Sequence, residues 1–427
     1  MKILLIGSGG REHSIARSLS DSSQLTALYT APGNPGTAMY GQNVAISDSD
    51  IDGLLAFAKE TQIDLTMVGP EAPLALGVVD RFEAEGLKIV GPCADAAQME
   101  SSKAWAKKFM MDYDIPTAGY HVFEEFDQAL SYIKNDASIP TVIKADGLAA
   151  GKGVTVCFSV EEAEDALQKM MKDKVFAEAG SRVVIEDFLV GEEASILAFT
   201  DGDTIIPLES AQDHKPVFDG DKGPNTGGMG AYSPAPIVTP TVSKKVYDRV
   251  LMPILNGMKD RGIPLKGIVY AGLMIDNGEP SVVEFNMRFG DPETQVVLAR
   301  LKTDLIDIFQ AMVNKTLHQV TLDWKSDAAV CVVMASEGYP DSYPKGRIIT
   351  GVTDQESSSS FVIQAGTKLS ELGAQRQLQT NGGRVLGVVG MGATIKTAID
   401  TAYSAVKQIS FEGAHYRTDI GAKAIRS

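Results

Sequence analysis

Cysteine is scarce in this chain: Cys93, Cys157 and Cys331 are the only three in 427 residues, widely spaced and without a CxxC pair. No disulfide framework follows from them, and a reducing cytosol is the expected setting. Long apolar runs are missing too, so no segment approaches the length needed to span a membrane. Positive charge is short: 39 Lys and Arg face 55 Asp and Glu, a formal net charge of −16 with a pI near 4.8. Such a field repels polyanions and excludes a general nucleic-acid binder, while leaving room for a local basic pocket around a phosphate. No internal repeat shows at the periods of solenoids or propellers. The one low-complexity patch, Ser357–Ser360, reads as a surface loop. The opening MKILLIGSGG passes from a short apolar run into a glycine turn, which reads as a buried strand rather than a signal peptide.

What remains is the composition of a soluble globular protein, 44% hydrophobic and 22% charged, at a length that suggests two to four domains. In the first hundred residues strands alternate with helices. Lys2–Ile6 leads through Gly7-Ser8-Gly9-Gly10 into a helical segment, and Leu65–Val68 leads into Gly69-Pro70-Glu71. That alternation implies a parallel sheet with ligands at its carboxyl edge. A dinucleotide fingerprint would need a third glycine where Glu12 stands, so a phosphate-ester site on the Gly9/Gly10 backbone, with Arg11 as partner, is the better reading. Glu71 could accept hydrogen bonds from sugar hydroxyls or serve the following helix start.

Beyond Glu100 the pattern changes to many strands joined by tight turns. Lys103 sits in the first turn of a helix, where a bound phosphate would offset its unfavourable place against the helix dipole; a solvated lysine is the alternative. Lys144 ends a strand, and Gly151 and Gly153 flank Lys152 in a loop between strands. The spacing is not that of a Walker A loop; it suits a glycine flap over nucleotide, or a plain hairpin tip. Residues 209–236, with five glycines and four prolines, exclude a regular helix or strand and read as an ordered binding loop carrying Asp213, His214 and Lys215. His214 could be a base, a substrate donor or a loop hydrogen-bond partner.

The stretch VVEFNMRFGDPETQ, Val282–Gln295, follows an Asn277-Gly278 hairpin signal. On a strand Glu284 and Asn286 share a face, roughly 7 Å apart, while Val283, Phe285 and Met287 enter the apolar layer. Two oxygen ligands that leave positions open for water and phosphate suit Mg2+; a solvent-facing strand carrying Glu and Asn by chance is the alternative. Arg288 follows at the same parity. Toward the C-terminus, Ala328–Ala335, Gly346–Gly351, Phe361–Ala365 and Arg384–Val389 read as strands. Thr394–Ile409 reads as an amphipathic helix.

The segments GSGGREH (Gly7–His13), VGPEAPL (Val68–Leu74), ESSKAWAKKFM (Glu100–Met110), IKADGLAAGKGV (Ile143–Val154), DGDKGPNTGGMGAYSPAP (ending at Pro236), EFNMRFGDPETQ (Glu284–Gln295) and YRTDIG (Tyr416–Gly421) together resemble the glycinamide ribonucleotide synthetase family of the ATP-grasp superfamily. Pro216 and Gln364 depart from residues common in that family, Arg and His. The resemblance implies an α/β and α+β multidomain chain: an N-terminal parallel-sheet, phosphosugar-binding domain over 1–100, a central ATP-grasp domain over 101–325 with a mobile flap subdomain at about 121–190, and a small C-terminal α+β domain over 326–427. It implies an ATP-dependent carbon–nitrogen ligase of purine biosynthesis that joins glycine to 5-phosphoribosylamine. Lys103 and Lys144 would meet the phosphates, and Glu186 to Leu189, with Phe188 among them, the adenine. Glu193 would meet the ribose. Glu284 and Asn286 would hold Mg2+ or Mn2+. Gly9, Gly10, Arg11, Asn34 and Glu71 would receive the phosphosugar amine. Arg288, Asp213 and Lys152 are the expected catalytic residues, with His214, Lys215, Gly290, Asp291 and Pro292 around the substrates. ATP and small molecules are the expected partners of a cytoplasmic monomer.

Overall fold

Ile3, Leu4, Leu5 and Ile6 are fully buried, as a strand covered on both faces requires. Their strand, Lys2–Gly7, is the centre of a five-stranded parallel sheet, flanked by Ala27–Pro32 and then Gln42–Asn43 on one side and by Leu65–Val68 and then Ile89–Val90 on the other. The computed structural model describes residues 1–148, 153–173, 175, 180–352, 357, 359–372 and 375–426. Helix Gly10–Ser20 starts directly at the glycine turn, so its first backbone N–H groups lie at the sheet's carboxyl edge, where Glu12 takes that of Gly9 and Asp291 that of Arg11.

After helices Ala94–Ser101 and Lys103–Asp112 the sheets become antiparallel. One has the order Tyr120–Phe123, Val183–Asp187, Thr141–Ala145, Val154–Cys157. Helices Phe126–Asn135 and Val160–Leu167 cover one face of it with Ala129, Ile133, Ala163 and Leu167. The next sheet runs Ile205–Pro207, Glu192–Asp201, Lys266–Asp276, Glu279–Asn286. The two meet through residues 188–191, where Gly191 (φ 140°) passes so close to the Ile275 carbonyl that an added Cβ would lie 2.4 Å from its oxygen. Only glycine fits that crossing.

The Asn277-Gly278 turn forms as expected, with both residues at positive φ. Its returning strand departs from simple alternation. Gly272 faces Glu284 but Leu273 faces Val282, so Val283 is a bulge. Val282, not Val283, enters the apolar layer with Phe285 and Met287. From Glu284 onward the expected parity holds.

Residues 209–236 are not strand-free. Four short strands lie there, Gln212–Asp213, Pro216–Phe218, Lys222–Asn225 and Gly230–Ser233. The first and last complete the C-terminal sheet beside Ala328–Ala335, Arg384–Gly392 and Ser360–Gln364. The last of them is set by a partner strand distant in sequence, which composition does not register, while the middle two pair with each other as a local hairpin. Conversely, Gly346–Gly351 is no strand: Ile348 bridges Gln379 and Thr350 bridges Ser410, single contacts to two different segments. Helix Ile395–Val406 packs Ala398, Ala402 and Val406 onto Val330, Val332 and Val388. Among the described residues no helix is long and apolar enough to cross a membrane. The architecture is the multidomain α/β arrangement expected.

Candidate active site

The three regions converge on one cavity of about 340 Å3. Its floor comes from the bulged strand. Glu284, Asn286 and Arg288 face inward because their neighbours Phe285 and Met287 are held in the core. The bulge turns the Val283 carbonyl to accept from Lys144 Nζ at 2.9 Å. Helix Lys103–Asp112, capped by Ser102 Oγ on Trp105 N–H, presents Lys103 and, one turn on, Lys107 to the same space. Lys103 Nζ donates to the Gly147 carbonyl at 2.8 Å.

At this end two of the three lysines share one buried acid. Glu186 bridges Lys107 and Lys144, both at 2.9 Å. Lys107 also donates to Thr117 Oγ1 at 2.7 Å. Burial pushes the Lys107 ammonium down to about 8, against the pull of Glu186. Burial lowers Lys103 as well, with Glu284 opposing and Lys144 reinforcing the shift.

The opposite end is acid-rich. Lys215 Nζ lies 2.9 Å from Glu193 and 3.8 Å from Glu284. Burial works against its charge, but Glu193, Asp213 and Glu284 outweigh this and hold its pKa well above the usual value. Asp213 is pushed up to about 8 by burial, opposed by Lys215 and reinforced by Glu293, Glu193 and Glu284. Tyr270 Oη donates to Glu293 at 3.0 Å and lies 2.9 Å from Ser195 Oγ. Burial raises Glu293. Glu284, between the two ends, is opposed by burial yet held below its ordinary value by Lys215, Lys144, Lys103 and Arg288.

Arg288 is gripped from the N-terminal region, by Glu71 at 3.4 Å and Glu100 at 2.9 Å. Its charge is secured by those two carboxylates in spite of burial. Glu71, the first residue of its helix, is nonetheless turned into the cavity. Burial raises it, but Arg288 and Arg11 prevail and lower its pKa. Arg11 reaches the wall too, donating to the Phe289 carbonyl at 3.2 Å and pairing with Glu12 at 2.6 Å. Gly290 and Asp291 close the next stretch of wall. Asp291 accepts from Gln295 Nε2 at 2.9 Å and from the Arg11 N–H at 3.2 Å, and Pro292 caps the helix Glu293–Arg300.

Other expected residues stand elsewhere. Asn34 is buried, its amide donating to the Ser8, Gly9 and Gln364 carbonyls, so it braces the Gly9/Gly10 turn instead of lining the cavity. His214 points away, its ring tilted at 58° to that of Tyr232 and accepting from the Gly421 N–H at 3.4 Å. Burial, with Arg417 and Lys423, pushes it down to about 4, so it is neutral near pH 7. Phe188 and Leu189 form the crossing between the two antiparallel sheets, with Phe188 6.1 Å from the Phe158 ring. Gly151 and Lys152 lie outside the described residues; Gly153 is in the cavity wall.

Sequence reasoning missed Lys107, Glu100, Tyr270 and Arg384. Lys107 carried a signal, four residues beyond Lys103 on the same helix face. Arg384 carried none: it comes from the C-terminal sheet and donates to the Gly227 carbonyl at 2.6 Å and the Asp291 carbonyl at 2.7 Å, fastening two walls together.

For a divalent cation the donor set is an ionised carboxylate and an amide oxygen. The Asn286 nitrogen fits Glu100 Oε1 at 3.0 Å, which turns Oδ1 away from that acid. Two hard oxygens with positions to spare fit Mg2+ or Mn2+ bound together with a nucleotide. Among the described residues no cluster of three or more His, Cys, Asp or Glu offers an alternative metal cage.

Comparison with known proteins accounts for nearly the whole chain. Family models match for phosphoribosylglycinamide synthetase: its N domain over residues 1–100, its ATP-grasp (A) domain over 101–294 and its C domain over 329–423. A phosphoribosylamine–glycine ligase of Ralstonia nicotianae is 51% identical over 429 residues, covering 100% of both chains. One from Vibrio cholerae is 49% identical and covers 100% of this chain and 99% of its own. The crystal structure of the phosphoribosylamine–glycine ligase of Thermotoga maritima matches with a TM-score of 0.85 at 32% identity, covering 98% of this chain and 100% of that one. The biotin carboxylase domain of the Hydrogenobacter thermophilus 2-oxoglutarate carboxylase matches at 14% identity with a TM-score of 0.73, over 97% and 91%, a likeness of fold alone. The chain belongs to the phosphoribosylglycinamide synthetase family.

Proposed function

We propose that this cavity joins glycine to 5-phosphoribosylamine at the expense of ATP, giving glycinamide ribonucleotide, ADP and phosphate through a glycyl phosphate intermediate, a step of purine biosynthesis. The observation that carries the reading is the division of one cavity into a lysine-rich end and an acid-rich end, with Glu284, Asn286 and Arg288 between them.

The chemistry sets what the residues must do. A carboxylate resists attack by an amine because oxide is a very poor leaving group; an acyl phosphate releases phosphate instead. The protein therefore has to neutralise phosphate charge, align the reactants and exclude water. Lys103 and Lys144 hold the phosphates of ATP, and Lys107 keeps Glu186 and so Lys144 in place. The crossing at Glu186–Leu189, with Phe188, receives the adenine, and Glu193 the ribose. Glu284 and Asn286 hold Mg2+ or Mn2+, which when bound supplies further neutralisation of phosphate charge. Asp213 takes the glycine ammonium, with Lys215 balancing its acidic neighbours. Arg288 meets the transferring phosphate or the glycine carboxylate. The helix start at Gly9, Gly10 and Arg11, with Glu71 opposite, receives the phosphosugar amine, and alignment of that amine is worth up to roughly 7–11 kcal/mol. The loop of Gly151, Lys152 and Gly153 covers the nucleotide. The free cysteines suit the cytoplasm.

The test is glycine-dependent ADP release, with and without freshly generated phosphoribosylamine. Release should require both substrates and a divalent cation. Turnover with another acid and amine pair, and none with glycine, would overturn the reading.

A further inference from the structure

Glu100 stands at the end of helix Ala94–Ser101, on the N-terminal side of the cavity, yet its carboxylate addresses three consecutive residues of the strand across from it. Oε2 accepts from the Met287 backbone N–H at 2.7 Å. Oε1 lies 2.9 Å from Arg288 Nη2. Arginine is a donor only, so Oε1 is fixed as an acceptor. The Asn286 side chain meets the same atom, and an amide oxygen there would face a carboxylate oxygen with no proton between them. With the amide turned the other way, Asn286 Nδ2 donates to Oε1 at 3.0 Å and to the Phe285 carbonyl at 3.3 Å.

We infer that Glu100 is a positioning residue that sets the orientation of the Asn286 amide, presenting Oδ1 and not Nδ2 to the divalent cation, while tying Arg288 to the same strand. The inference rests on the reading of Glu284 and Asn286 as the cation's ligands. An amide has one ligating end and one repelling end; a carboxylate has two equivalent ones. Asparagine at position 286 therefore needs an orienting acceptor, and Glu100 supplies it. Arg288 depends on it less, because Glu71 also holds that guanidinium. Partners that orient a metal ligand in this way are commonly worth 10–100-fold in affinity.

The inference predicts a polarity swap. Glu100→Gln removes the fixed acceptor, and Asn286→Asp sets two carboxylates against each other; each alone should weaken cation binding. Together they rebuild the pair in reverse: the amide introduced at position 100 keeps its oxygen on the Met287 N–H and donates to the carboxylate introduced at position 286, Arg288 is left to Glu71, and the net charge is unchanged.

The measurement is Mn2+ binding in the presence of ADP, followed by the loss of the free-ion electron paramagnetic resonance signal, on the full chain. Thermal unfolding of each variant serves as the folding control. Glu100→Gln should raise the Mn2+ dissociation constant about tenfold or more, and the double variant should return to within a few-fold of the wild type. An Asn286→Ala variant separates the two levels of the argument. Unchanged Mn2+ affinity in it would remove the ligand reading itself. Weakened affinity in Asn286→Ala, combined with unchanged affinity in Glu100→Gln or with a double variant no better than the weaker single, would overturn the role of Glu100 alone.

Discussion

The two ends of the cavity are built on the same principle with opposite signs. At one end Lys107 and Lys144 share one acid, Glu186, with Lys103 lining the same space. At the other Asp213, Glu193 and Glu293 surround one base, Lys215. Burial drives the excess groups toward neutrality, bringing Lys107 down to about 8 and Asp213 up to about 8. Each end is thus undercompensated in the direction of the ion it is proposed to receive, polyphosphate at the first and an ammonium group at the second. The minority residue at each end is what keeps the excess charge tolerable in the absence of substrate.

Removing the minority residue should accordingly cost more than removing one of the majority. Glu186→Ala leaves Lys107 and Lys144 buried without their shared acid, and a loss of about 3–5 kcal/mol in unfolding free energy is expected. Asp213→Ala leaves the Lys215–Glu193 pair at 2.9 Å intact and removes a carboxyl that burial already holds protonated near pH 7, so about 1 kcal/mol or less is expected. Urea unfolding of both variants makes the comparison; equal losses would break it.

Glu284 belongs to neither end and is expected to matter for turnover above all. Glu284→Ala should lower cation-dependent ADP release on the order of 100-fold or more. Near-normal turnover at saturating Mg2+ would remove Glu284 from the cation site.

Arg384 sharpens the comparison by acting at one end only. Its bonds to the Gly227 and Asp291 carbonyls are charge-assisted, and each spans a gap that no local structure bridges. Arg384→Met should reduce kcat/KM for glycine by an amount equivalent to about 1.5–3 kcal/mol and leave KM for ATP unchanged. A parallel rise in KM for ATP would show that the two ends are not separable.

How much of this was legible before folding follows the range of the interaction. Glu284, Asn286 and Arg288 could be placed because a hairpin signal and a period of two fix their face locally. Val283 could not, because its bulge depends on how the partner strand pairs at Gly272 and Leu273. The parallel N-terminal sheet announced itself through strand–helix alternation. The first and last strands inside 209–236 did not, since the C-terminal sheet they complete lies far along the chain, with Gly230 paired to Val332. Glu100 sits inside a recognisable segment, yet its partner Met287 is 187 residues distant and nothing local assigns it a task. Lys152 and Gly151 lie outside the described residues, so the flap stands as the sequence proposed it.

The smallest effect on turnover, per step, is the pH dependence of glycine use, and its sign tests the acid-rich end directly. Asp213 must be ionised to accept an ammonium group, and burial together with Glu293, Glu193 and Glu284 keeps it protonated up to about pH 8. Below that value each unit of pH removes about tenfold of the competent form, equivalent to about 1.4 kcal/mol. Glycine keeps its ammonium charge throughout this range, so kcat/KM for glycine should rise about tenfold from pH 6 to pH 7 and level off above pH 8. Asp213→Asn should be slower and should flatten that slope, because no proton remains to be lost at this position. Lys107 also titrates near pH 8, but in the opposite sense: raising the pH discharges it and weakens the phosphate end. A falling KM for glycine and a rising KM for ATP across the same pH interval would therefore trace the two ends separately, and a common pH profile for both substrates would show that one group governs the whole cavity.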